Sequence, residues 1–462
     1  MRPKEQWFGG ATIGYNHGSL HASYRLDYLN EDIYVAGKYN QNNTALDASY
    51  LTNRYTHQAQ VHWSPSALFQ WATSLSFQDY ERQTETYLLN FLNGTKEAST
   101  EEGEWDLSTF KTYFGRSMAT WKVSDKFSWQ PGVEYKRDAS TGERIEGRPV
   151  ITDIAFFNSV EYQPAAKWLI RPGLRISHNS TYKAPPLIPS LNIKYALNSR
   201  VDLRLSYARG FRAPALRELY FNFHDANHDI VGNPNLEAEY SNSFNGSVNW
   251  QALTTGTMQI SSMLSVFYNA FNNRIDLALG AGNVFTYFNI SKYRTTGFST
   301  EHRLHRKRWD AALGFSYIAR YNEYRDETGY KETSGKKYAW SPELNSNISY
   351  LIPKLEVLAG FYYKYNGKLP QFRTGTDLQT NQQIIYLAET AAYHWADFTL
   401  SKTILGSLTL QAGVKNIFDV RRLQNTAMDG GGAHSTSGPV LMAYGRSGFA
   451  GIRYQFSSKQ KQ

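Results

Sequence analysis

The densest group of ligand-type side chains lies between positions 220 and 229. Tyr220, Phe221, Phe223, His224, Asp225, Asn227, His228 and Asp229 all fall in the segment YFNFHDANHD. Imidazole is a good transition-metal ligand, and the neighbouring rings offer flat apolar faces on which a planar ligand can stack. The same composition equally suits an aromatic loop that packs on itself or on the loop beside it. Asp225 and Asp229 are oxygen donors of the kind calcium prefers, but their spacing fits no EF-hand pattern. Another imidazole, His434, follows Gly430, Gly431, Gly432 and Ala433. Glycines give that segment the freedom to close over a ligand or simply to move. His302 and His305 lie beside a short basic turn at Arg306, Lys307 and Arg308 and are poor ligand candidates. G-x-S-x-G, H-E-x-x-H and P-loop patterns are absent, and no Ser–His pair can be placed on an outer wall. With Cys 0, thiol catalysis, Cys-ligated zinc and iron–sulfur clusters are excluded. No catalytic residue, resident metal or cofactor is expected.

The elements that carry these residues are strands. Phe127, Trp129, Pro131, Val133 and Tyr135 alternate with Ser128, Gln130, Gly132, Glu134 and Lys136. Val201 to Tyr207, Leu408 to Lys415 and Ala450 to Phe456 show the same period of two, apolar on one face and polar or charged on the other. No sustained helical period appears, so long helices are not expected. Mean hydropathy is −0.53, yet aromatic residues make up 15% of the chain, with Tyr 33, Phe 25 and Trp 11. No run of about 18 apolar residues exists, which excludes a helical membrane protein. A polar, Tyr-rich, alternating chain fits either a soluble all-β protein or an outer-membrane barrel with aromatic girdles.

The connections separate the two. Short turns fall near 16–18, 64–66, 123–126, 163–166, 197–199, 252–256, 304–308, 352–354 and 404–406. Between them lie longer connections near 30–52, 83–106, 139–148, 181–186, 208–237, 274–285, 319–337, 366–390 and 421–439. Strict alternation of short and long is the pattern of periplasmic turns and extracellular loops. It predicts about 19 strands of roughly 13–15 residues each. Outer-membrane barrels are closed and even-stranded because an open edge in lipid leaves unpaired N–H and C=O groups. The odd count is therefore expected to leave about three strands of a 22-stranded barrel outside this chain. The first residues, Met1 to Trp7, contain no apolar signal core. Net charge is +9 but the basic residues are scattered, so no nucleic-acid partner is expected.

The segment Ser206 to Glu239 resembles TonB-dependent outer-membrane receptors, in which a strand ends in an FRAP-like box and the next loop closes with an NPNL-like box. Here these boxes are Phe211, Arg212, Ala213 and Pro214, and Asn233, Pro234, Asn235 and Leu236. Asn289 to Tyr293 with Thr296, Gly297, Phe298 and Glu301, the run Gly413 to Asp419, and Gly445-Arg446 before the strand ending at Phe456 resemble further family motifs. The resemblance covers nearly all of residues 1–462 and implies one β-barrel domain, N-terminally truncated and without the family's plug. Pro214 ends strand pairing by removing a donor, and Gly232 with Asn233-Pro234 is expected to turn the loop sharply, the glycine by adopting positive φ. Both boxes are read first as loop geometry and only second as ligand contacts.

In haem receptors of this family a His between such boxes is an axial-ligand candidate, and His224 and His228 match that location. The resemblance implies a receptor that binds a scarce nutrient, most readily an iron complex (siderophore or haem), with cobalamin next. Its expected partners are outer-membrane lipid, the TonB complex acting through a plug, the nutrient itself, and a surface lipoprotein. Its implied localisation is the bacterial outer membrane. A diffusion porin, with about 16–18 strands and one constriction loop, and a non-transporting adhesin are the alternatives. Arg171, Arg175, Arg204 and Arg453 are expected on the lumen face, paired with acids of other strands or a plug, or guiding anionic ferric complexes.

Overall fold

The computed structural model describes residues 4–455 except 101–103, 226–227, 280–283, 324–330, 333–337, 378, 381–382, 405 and 428–437. It is an antiparallel all-β protein whose described part contains one short helix, Leu216–Tyr220. Among the described residues no helix is long and apolar enough to cross a membrane. Of the 27 strands among the described residues, eight are short segments inside the long connections, which leaves nineteen wall strands, the number expected.

The chain divides into two compact units. In the first, eight consecutive strands from Lys4–His17 to Trp168–Asn179 pair antiparallel, each with the next. In the second, consecutive pairing runs from Phe285–Arg306 through Trp309–Glu323, Ala339–Ile352, Val357–Asn366, Tyr393–Ile404 and Leu408–Lys415 to Ser447–Tyr454. Ile188–Ala196, Val201–Arg212, Glu239–Thr255 and Met258–Leu279 give residues to both units, as does Phe285–Arg306 itself. Among the described residues, Lys4–His17 has only Leu20–Val35 as a strand neighbour, and Ser447–Tyr454 has only Leu408–Lys415.

One face of the first unit is apolar and exposed. Along Thr44–Ser66 it carries Tyr55, His57, Ala59, Val61 and Trp63, set across from Asp79, Phe77, Leu75, Thr73 and Trp71 of Phe69–Asn90. Water would penalise such a surface, whereas lipid is its natural solvent. Aromatic rings close the band at both ends. Trp63 and Trp71 (ring centroids 6.3 Å apart) and Trp121 and Trp129 (6.5 Å) lie beside short turns. Tyr28 and Tyr55, and Phe77 and Tyr113, each 4.8 Å apart, lie at the other end. From Tyr55 to Trp63 the strand rises roughly 26 Å along its own axis. At a tilt near 40° that is about 20 Å of height, close to the apolar band of an outer-membrane barrel once the end rings are added.

The opposite face is polar and satisfies its charges locally. Arg175 pairs with Glu134 at 2.7 Å, Lys136 with Asp138 at 2.6 Å and Lys4 with Glu31 at 2.5 Å. Arg171 bonds Glu161, and in the second unit Arg204 bonds Asp202 of its own strand at 2.8 Å. Arg453 has no ion-pair partner among the described residues.

All nine short turns lie within a few residues of their expected places, but several strands are longer than expected. Thr44–Ser66 has 23 residues and Phe69–Asn90 has 22, so the connections predicted at 30–52 and 83–106 shrink to 36–43 and 91–105. Met258–Leu279 and Phe285–Arg306, 22 residues each, do the same to 274–285. Beyond the lipid band both faces meet water, so pairing continues while the apolar–polar alternation that marks a strand disappears.

Candidate functional site

The long loop after Val201–Arg212 is fastened at both boxes. Arg212 reaches Glu239, at the start of the next wall strand, with two hydrogen bonds (Nε–Oε2 2.9 Å, Nη2–Oε1 2.6 Å), and its Nη1 bonds Glu218 at 2.8 Å. Both carboxylates have second duties. Glu218 Oε2 accepts from the Ala215 N–H at 2.7 Å, the side-chain half of a capping box for the helix Leu216–Tyr220. Glu239 Oε1 accepts from the Ile275 N–H at 2.7 Å. Strand end, helix start and strand return are thereby joined through one guanidinium. Pro214, which cannot donate to a ladder, is fully buried where pairing stops.

The second box closes the loop through asparagine side chains. Asn233 donates from its amide to the Tyr287 carbonyl at 2.8 Å and accepts the Asn235 N–H at 2.9 Å, while its own N–H bonds the Glu218 carbonyl at 2.9 Å. Asn289 spans the same region. Its Oδ1 accepts from the Glu237 N–H at 2.8 Å, and its Nδ2 donates to the carbonyls of Glu237 at 3.0 Å and Asn273 at 2.7 Å. Beneath these bonds, Leu216, Leu219, Leu236, Ile151 and Ile275 form a buried cluster flanked by Tyr182, Tyr220 and Tyr287. Burial, and then the nearby Tyr220 and Glu218, raise the Tyr182 hydroxyl pKa above its ordinary value.

Gly232 corrects one expectation. It is not among the positive-φ residues. A Cβ there would stand 2.6 Å from the Leu219 carbonyl carbon and oxygen, so the requirement for glycine is close backbone approach.

Between the boxes the chain makes a small hairpin. Asn222–Asp225 pairs with His228–Val231, with His224 in register with Asp229 and Asp225 with His228. Tyr220 and Phe221 sit at its base, joined to the loop at 142–149: the Glu146 N–H bonds the Tyr220 carbonyl and the Asn222 N–H bonds the Arg144 carbonyl, both at 2.8 Å. Phe221 and Phe223 stack at 5.9 Å. The Arg144 guanidinium lies 4.2 Å from the Phe223 ring centre, and that of Arg217 lies 5.1 Å from Phe221. The outcome is a pair of half-buried stacked rings flanked by the buried Arg144 and the exposed Arg217. His434 lies outside the described residues. Of the remaining box residues, Phe211 contacts the Tyr240 ring at 5.7 Å, and Ala213, Pro234 and Asn235 continue the two turns.

Sequence reasoning missed Arg144, Arg217 and the two glutamates, and named Asn289 only as part of a family motif, without its bonding role. The one local signal was Glu218, three residues after Ala215 and just past Pro214, a helix-start pattern. No group of three or more His, Asp or Glu side chains among the described residues is placed to hold a metal ion.

Comparison with known proteins extends these observations. Residues 5–417 match the family model described as TonB dependent receptor-like, beta-barrel. A search of curated sequences returns no match. Among solved structures, the copper transporter OprC aligns with TM-score 0.71 at 14% identity, over 98% of this chain and 72% of its own. The ferric enterobactin receptor PFEA of Pseudomonas aeruginosa gives TM-score 0.64 at 13% identity, covering 98% and 78%. The siderophore receptor PirA of Pseudomonas aeruginosa gives 0.59 at 14% identity, covering 99% and 80%. Identities this low speak to fold alone, but the family model spans most of the chain, and its members are transporters and receptors coupled to TonB. The chain therefore belongs to the TonB-dependent receptor β-barrel family and is a protein of the bacterial outer membrane.

Proposed function

We propose that this chain forms the wall and outer loops of a receptor that imports an iron complex, with an anionic ferric siderophore as first cargo and haem as second. The observation that carries this reading is the pair of stacked rings, Phe221 and Phe223, capped by the Arg144 and Arg217 guanidinia. Rings recognise flat unsaturated ligands, and guanidinium groups recognise carboxylates, catecholates and hydroxamates. Ferric catecholates are both aromatic and negatively charged, and haem carries two carboxylates on a flat ring. The names of the structural relatives, among them a ferric enterobactin receptor and a siderophore receptor, support the same class. If haem is the cargo, His224 and His228 are the axial-ligand candidates, and Tyr220 is a further contact candidate. TonB would act through a plug seated in the barrel.

The test is a tryptophan-quenching titration of the bilayer-reconstituted protein with a ferric catecholate, hemin and cobalamin in parallel. Saturable quenching by the ferric catecholate is expected, weakened roughly fivefold in Arg217→Gln, the worth of one exposed cation. A Soret shift with hemin that disappears in His224→Ala/His228→Ala would transfer the assignment to haem. Saturation by cobalamin alone, indifferent to Arg217→Gln, would overturn it.

A further inference from the structure

The outer end of the second unit presents a further aromatic and basic surface. Strands Val357–Asn366 and Tyr393–Ile404 turn Phe361, Tyr363, Tyr365, His394, Phe398 and Leu400 to the apolar face. At its outer edge Tyr363, Tyr365 and His394 form a ring cluster. His394 lies 4.9 Å from Tyr365, and its Nδ1 is 2.8 Å from the Tyr363 hydroxyl. Phe418, from the following loop, lies against this cluster, 5.9 Å from His394 and 6.3 Å from Tyr363. The start of the loop is thus fixed on the lipid side of the wall, at the level of the outer aromatic girdle.

Just past Phe418 the loop turns basic. Asp419, at φ 56°, accepts the Arg446 N–H at 2.7 Å and the Arg421 Nε–H at 3.2 Å. The Arg446 Nε–H donates to the Ile417 carbonyl at 2.9 Å, which leaves its two terminal nitrogens unused among the described residues. Arg422 is exposed and has no polar side-chain partner among the described residues. A two-residue ladder pairs Arg422–Leu423 with Val440–Leu441, so these cations sit beside Leu441 (68% exposed) and Tyr444 (85% exposed). Against three guanidinium groups stands one carboxylate, and large apolar side chains project among them.

We propose that this surface is a lipid-binding site: Arg421, Arg422 and Arg446 hold a phosphate group of an anionic outer-leaflet lipid while Leu441 and Tyr444 enter the headgroup–acyl boundary. Three observations on the molecule select lipid as the occupant. Phe418 makes the patch continuous with the aromatic girdle, net positive charge complements an anionic membrane surface, and the amphipathic arrangement is that of an interfacial anchor. Guanidinium suits a phosphate through paired N–H donors.

The chain has no cysteine, so Leu441→Cys accepts a single fluorescent label. The labelled protein is reconstituted into phosphatidylcholine vesicles with and without bisphosphorylated lipid A. Expected is shielding of the label from an aqueous quencher together with quenching by headgroup-labelled lipid. By native mass spectrometry the unlabelled protein should retain lipid A, and Arg421→Gln/Arg422→Gln should retain it about thirtyfold less well, each basic residue near an anionic surface being worth about fivefold. Arg421→Lys/Arg422→Lys should recover most of the binding, and unchanged heat-modifiability on gels shows that the wall is intact. Competition by inorganic phosphate at equal concentration would assign the site to free phosphate and overturn the lipid reading. A fully water-accessible label, or equal lipid retention in the glutamine variant, would also overturn it.

Discussion

Replacing Arg212 by methionine keeps much of the side chain's packing and removes its charge, so it isolates the knot that ties the loop between the two boxes to the wall. In the native protein Arg212 serves two carboxylates, Glu218 and Glu239, whose side chains are only 18% and 15% exposed, while its own is 42% exposed. A fully buried pair broken on one side costs about 3–5 kcal/mol and an exposed pair less than about 1 kcal/mol. The half-covered geometry places this one between them, near 2 kcal/mol, or roughly a thirtyfold increase in local opening. The readout is amide hydrogen exchange. The N–H groups of Asn233, Gly232 and Glu146, bonded to the carbonyls of Glu218, Phe221 and Tyr220, should lose about thirtyfold in protection. Wall amides such as those of Thr73 and Gly115 should not change. The double variant Arg212→Met/Glu239→Gln should recover part of the loss, because the stranded carboxylate is the larger share of the cost. Unchanged protection in Arg212→Met would refute the claim that this guanidinium holds the loop.

Three further outcomes follow from the same geometry. Gly232→Ala places a methyl group 2.6 Å from the Leu219 backbone, and should cost about 1–3 kcal/mol and open the hairpin to limited proteolysis while the wall's heat-modifiability stays native. Asn289→Ala removes three hydrogen bonds at the second box and should destabilise the loop by about 2 kcal/mol in the same exchange experiment, with Asn289→Asp, which keeps only the acceptor, falling between. Asp419 is held below the usual carboxylate range, first by the Arg446 backbone N–H and then by Arg421. Its stabilisation is therefore present above its unfolded pKa and is lost as pH falls through the lower folded value. A label at Leu441→Cys should accordingly gain mobility only below about pH 4, and Asp419→Asn should show that mobility at neutral pH.

The wall was legible because lipid leaves little choice. Period-two segments such as Leu408 to Lys415 must put one face to acyl chains and the other to water, and short turns such as Lys307-Arg308 must reverse the chain at once. Composition records both demands. Above the lipid band they lapse. Residues 44–52 of Thr44–Ser66 pair with Phe69–Asn90 as regularly as the rest, yet carry Asp47, Ser49 and Thr52 without a consistent apolar face, and so read as loop. The candidate site was legible in its rings and boxes but not in its partners. Nothing local connects Arg212 to Glu239, 27 positions away, or Arg144 to Phe223, because tertiary pairing leaves no period in the sequence. Gly232 shows a related failure, in which the residue type was read correctly and its reason was not.

Retention of radiolabelled iron by TonB-competent cells displaying this chain within its receptor tests the central claim most directly. Supplied as a ferric catecholate, iron should accumulate saturably, and Arg217→Gln should lower its capture at limiting concentration while leaving the amount of receptor in the outer membrane unchanged. Accumulation that is linear in concentration, or identical in the variant, would contradict the account and leave the chain a wall without that cargo.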